Sequence, residues 1–102
     1  MNRQFGLKIR HLREKQRLYL RQVAPLLEMD TAQLSKIEKG IRQLKREQIM
    51  ILADIFKVDK EELLTLWVAD QIIDVLMGEE VALEAIHVAE KELMNSRKKK
   101  RE

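Results

Sequence analysis

Thr31, Ala32, Gln33 and Lys36 fall on one side of a short amphipathic helix, and Leu34 and Ile37, three residues apart, fall on the other. A face that is short, polar and basic has the reach and the donors needed to touch base edges in a DNA major groove. The same composition also suits plain solvation, the commoner fate of an arbitrary helix surface. Just upstream, Leu20, Val23, Ala24 and Leu27, with Met29 in the turn, mark a second short helix that meets the first at a sharp angle. Ala24 stands where the two would cross, and a small side chain is needed there.

The elements that position these residues are all helical; the spacing predicts five or six helices and no strand. Phe5, Ile9 and Leu12 line one face of a first helix, about Arg3 to Lys15. A second runs about Leu20 to Glu28. Asp30 is suited to cap the third, which ends at Gly40, a natural left-handed stop. Ile49, Leu52, Ala53 and Phe56 align on a fourth, about Arg46 to Phe56. Asp59 with Glu62 forms an acidic variant of the capping box and opens a long fifth helix from Lys60 to about Met77, where Gly78 stops it. A last helix, about Glu79 to Asn95, offers Ala82, Ala85, Ile86, Ala89 and Leu93 as its stripe.

The stretch LYLRQVAPLLEMDTAQLSKIEKG from Leu18 to Gly40, with FGLKIRHLREKQ before it and ILADIFKVDKEELL from Ile51 to Leu64 after it, resembles the lambda-repressor-like (xenobiotic-response-element type) helix-turn-helix regulators. The resemblance covers roughly residues 4–64. Three departures stand out. Tyr19 and Leu20 occupy positions where that family often has a Ser or Thr cap and a Gln touching the DNA backbone. Glu28 replaces the frequent turn glycine. Pro25 sits inside the first helix of the motif, where it removes an N–H and is predicted to kink the chain.

The resemblance implies a compact all-α bundle and assigns roles. Thr31 and Ala32 would approach thymine methyls, Gln33 would pair with adenine and Lys36 with guanine. Phosphate contacts fall to Tyr19, Arg21 and Lys39 and to the loop carrying Arg42, Gln43 and Lys45, whose alternative is a solvated loop. An exposed helix N-terminus near Lys45 can add backbone donors. Among Arg10, Arg13, Arg17 and Arg21, Arg13 matches a family position that forms a partly buried salt bridge to the residue matching Glu38; its alternative is a phosphate contact.

Charge is segregated along the chain. Residues 1–58 carry 13 Lys and Arg against 6 Asp and Glu, a net of +7; residues 59–96 carry 2 against 10, a net of −8; the last six carry 5 against 1. A basic front half suits a phosphate backbone and an acidic back half is repelled by it, so the DNA-facing surface belongs to the first half. The basic end RKKKR is expected to be disordered and to add unspecific phosphate attraction.

With 102 residues, one Pro, three Gly and four aromatics, the chain has the materials of a single small helical domain and lacks those of an all-β fold. The absence of Cys excludes disulfides and thiolate metal sites and fits a reducing cytoplasm. Neither a signal peptide nor an 18-residue apolar run is visible, so export and membrane spanning are not expected. His11 and His87 stand far apart without further ligands, and acidic pairs such as Glu61 with Glu62 suit helix starts. No nucleophile set, phosphate loop or zinc spacing appears, so no enzyme, cofactor, metal or small-molecule ligand is inferred.

Three segments follow: a DNA-binding domain over 1–64, a helical extension over 65–96 and a basic tail over 97–102. The extension exceeds what a five-helix core needs, which leaves intramolecular packing or dimerisation through Trp67, Ile72 and Leu76. The resemblance implies a sequence-specific transcriptional regulator of bacterial or phage type, a homodimeric repressor on a palindromic stretch of double-stranded DNA. Controllers of restriction-modification operons are one such subgroup. The competing class is an antitoxin-like or bridging protein-interaction module with a structural helix-turn-helix, its acidic segment neutralising a basic partner.

Overall fold

The computed structural model describes residues 4–101, with side chains through residue 98. Its helices are α1 (Gln4–Lys15), α2 (Leu20–Val23), a 3-10 turn (Ala24–Leu27), α3 (Thr31–Glu38), α4 (Arg46–Phe56), α5 (Lys60–Leu76) and α6 (Ala82–Arg101), with no strand among the described residues. The fold is thus all-α, as its spacing predicts. Arg3, the expected start of α1, lies outside the described residues.

Two compact units divide between Ile72 and Ile73. In the first, the apolar stripes meet in one core: Phe5, Ile9 and Leu12 of α1 pack with Leu34 and Ile37 of α3 and with Ile49, Leu52 and Phe56 of α4. Ala24 at the motif's crossing is fully buried, and Leu63 closes the core from α5. This unit runs past residue 64 because α5 remains tied to the core beyond it. Trp67 donates its indole N–H to the Leu44 carbonyl at 3.0 Å, and the buried Asp70 carboxylate accepts the backbone N–H groups of Gln4 and Phe5 at 3.1 and 2.9 Å. Asp70 thereby caps the start of α1 from a distant part of the chain, satisfying donors a helix leaves open.

Local chemistry explains the ends. Pro25 breaks the expected single helix into α2 and the 3-10 turn, since its ring and missing N–H do not fit an α-helical interior. At α2, α3 and α4 a glutamine three residues into the helix, Gln22, Gln33 or Gln48, accepts the capping residue's N–H. At α5 Asp59 accepts from Glu61 N–H at 3.0 Å, but Glu62 does not complete the expected box. Its carboxylate turns to Lys8 of α1 at 2.8 Å.

The second unit holds the end of α5, a turn with Gly78 at φ 81°, and α6. Helical backbone continues through Arg97 to Arg101, where no structure was expected. Basic residues are good helix formers and are favoured in a last turn by the helix dipole. The side chains beyond Lys98, on which part of the expected phosphate attraction rests, lie outside the described residues.

Candidate nucleic-acid interface

The candidate reading helix α3 is fixed at both ends. Asp30 Oδ1 accepts the Gln33 N–H at 2.7 Å, capping its start. At its end Gly40 adopts φ 79°, Gly40 N–H donates to the Ile37 carbonyl at 3.1 Å, and Ile41 N–H donates to the Lys36 carbonyl at 2.9 Å. This is the doubled hydrogen bonding of a Schellman stop.

The inner side of α3 is locked against α1. A methyl group added to Gly6 would collide with the Glu38 carbonyl oxygen and lie 2.7 Å from that of Ile37, so only glycine allows the two backbones this approach. Arg13 grips the buried Glu38 carboxylate with two N–H groups, Nε to Oε2 at 2.8 Å and Nη2 to Oε1 at 3.1 Å. Its Nη1 donates to the Leu18 carbonyl at 2.9 Å, closing the start of the motif onto the same guanidinium. The hydrogen bond to Glu38 raises the Arg13 pKa above its ordinary value, which favours the charged guanidinium.

The outer side is what remains. Thr31, Ala32, Lys36 and Lys39 are exposed, and Gln33 is half-buried with its amide oxygen turned 3.4 Å from the Asp30 N–H. Arg42, Gln43 and Lys45 are exposed on the loop that follows. Tyr19 is exposed at the start of α2, with the Arg21 guanidinium 4.4 Å from its ring centroid. Tyr19 backbone N–H donates to the Gln22 side-chain oxygen at 2.7 Å, while no side-chain hydrogen bond from Tyr19 takes the place of a Ser or Thr cap.

The remaining basic residues separate by partner. Arg10 pairs with Glu14 at 2.8 Å on the exposed side of α1; that hydrogen bond raises the arginine's pKa and lowers the carboxylate's. Arg17 takes the left-handed φ of 57° just past α1. Of the residues expected at a dimer contact, Trp67 is half-buried with its N–H already used and Arg46 5.4 Å from its ring; Ile72 is exposed and Leu76 half-buried.

Asp70, Gly6 and Lys8 were not legible as parts of this framework. The signal for Asp70 is its place: with Leu63 and Trp67 it shares one face at i, i+4 and i+7, and a carboxylate at a core-facing position needs buried donors. Among the described residues no cluster of His, Cys, Asp or Glu is arranged to hold a metal ion, and no helix is long and apolar enough to cross a membrane.

A short capped helix, braced from behind and flanked by exposed cations, defines a nucleic-acid-binding bundle. Residues 4–66, more than half of the chain, match the family model for the helix-turn-helix domain, and the chain belongs to that family. It is a DNA-binding protein of the regulatory kind. No curated protein and no solved structure matches the chain significantly.

Proposed function

We propose that the chain is a transcriptional repressor of the lambda-repressor-like type, a homodimer that occupies a short palindromic operator and so blocks a promoter. The outward face of α3 carries this reading: Thr31, Ala32 and Lys36 stand exposed on a helix whose inner side is locked. Thr31 and Ala32 admit close approach and touch thymine methyls, Lys36 reads guanine, and Gln33 reads adenine once its oxygen leaves the long bond to Asp30. Tyr19, Arg21, Lys39, Arg42, Gln43 and Lys45 hold the phosphates and set the register. One eight-residue helix reads few base pairs, so two copies on half-sites about 34 Å apart supply the specificity. Such a protein works beside the chromosome, which in a bacterium means the cytoplasm. Restriction-modification operons, where small single-domain regulators are common, are the first place to look for the operator.

Selection of bound fragments from random duplex DNA tests the reading. Enrichment of a two-fold symmetric sequence is expected. Four of the six phosphate-contact residues are cations, so a dimer neutralises about eight phosphates and log K should fall with log salt at a slope of about −7. A selection that enriches no sequence, with binding insensitive to salt, would reject the reading in favour of a protein-interaction module.

A further inference from the structure

In the second unit, every described α6 side chain except that of Ala82 is exposed, including Ile86 and Leu93 at 41% and 66%. Ala82, Ile86, Ala89 and Leu93 form one stripe in which the two large residues lie seven apart and the two alanines lie seven apart. That is the period of a helix-pairing seam. A helix of about 20 residues with nothing buried is marginal in water, so the stripe calls for a cover. Charge is ordered over the turn before α6 and the helix itself. Glu79, Glu80 and Glu84 precede any cation, and Arg97 and Lys98 close the described part. The helix dipole favours that order within a single helix but does not account for the apolar seam.

We propose that α6 pairs antiparallel with α6 of a second copy of this chain, a contact that rests on the dimeric reading above and specifies it. In the register that fits the stripe, Ile86 seats on the partner's Ala89 and Leu93 on the partner's Ala82, each layer matching a large side chain with a small one. The two-fold axis repeats every contact. The same register brings Arg97 and Lys98 level with the turn holding the partner's Glu79 and Glu80. A parallel pair would instead set acid beside acid and base beside base, which is unfavourable. The surface is therefore complementary to itself in one direction only.

The chain has no cysteine, so single reporters can be introduced cleanly. Full-length Ile86→Cys and Ala89→Cys chains, oxidised separately and as a mixture, should cross-link chiefly in the mixture; in a parallel pair each would cross-link to itself. Sedimentation of full-length Leu93→Glu should show monomer where the parent is dimer, with the cooperative thermal unfolding of the first unit retained because Leu93 is exposed and lies outside that unit's core. Charge reversal at Arg97 and Lys98 should weaken the dimer several-fold, and reversal of Glu79 and Glu80 in the same chain should restore it. A dimeric Leu93→Glu, or self-cross-linking, overturns this contact and leaves the dimeric reading standing. A monomeric parent chain overturns both.

Discussion

Replacing Arg13 by Met tests whether the back of α3, the proposed reading helix, is held electrostatically. The Glu38 side chain is 6% exposed and that of Arg13 12%, and two short hydrogen bonds join them. Removing the guanidinium leaves a buried carboxylate with no counter-charge, and strips the Leu18 carbonyl of its donor. Breaking one side of such a pair costs roughly 3–5 kcal/mol. For a small domain that corresponds to a fall in melting temperature of about 20 °C. Glu38→Leu should fall by a similar amount, stranding the arginine instead. The double variant Arg13→Met, Glu38→Leu removes both charges and both desolvation penalties, so it should melt above either single variant. Thermal unfolding followed by circular dichroism across this cycle is the assay. Additive losses in the double variant would refute the argument, and unchanged melts in the singles would mean the pair contributes nothing.

Lys36→Ala should relax preference at one position per half-site and cost about 1–3 kcal/mol on the selected operator, whereas Arg42→Ala should weaken all sequences alike; gel-shift titrations on matched and scrambled duplexes separate the two. Glu28, left-handed at φ 56°, carries the backbone strain of a non-glycine residue, so Glu28→Gly should raise stability in urea unfolding by about 0.5–1 kcal/mol after the entropy of glycine is subtracted. Asp70→Ala leaves the buried N–H groups at the start of α1 without their acceptor and should lose about 1–3 kcal/mol in the same assay. Gly6→Ala forces α1 away from α3 and should cost a further, independent 1–3 kcal/mol, roughly, together with specific DNA affinity.

Much of the core is legible because it is written in one period. Phe5, Ile9 and Leu12, or Ile49, Leu52 and Phe56, can be buried together only on a helix, and Asp30 and Gly40 mark ends by local chemistry alone. What escapes is whatever depends on a residue far along the chain. Glu62 has the spacing of a capping box, yet an ammonium group 2.8 Å away on α1 outcompetes the local backbone for it. Asp70 interrupts an apolar stripe and so drops out of a pattern that counts only apolar residues. Gly6 leaves no mark in such a pattern, because its role is to have no side chain.

Gly6, Arg13 and Asp70 share a consequence for recognition. α3 is eight residues long, too short to hold its own orientation, and the side chains on its outer face are useful only if its backbone is placed to within a fraction of an ångström. Gly6 sets the distance between α1 and α3, Arg13 sets their rotation through the Glu38 carboxylate, and Asp70 fixes where α1 begins. The proposed reading helix is therefore positioned through α1 by a buried residue on α5. Base preference in this chain should be sensitive to substitutions in α1 and α5 that never approach the duplex.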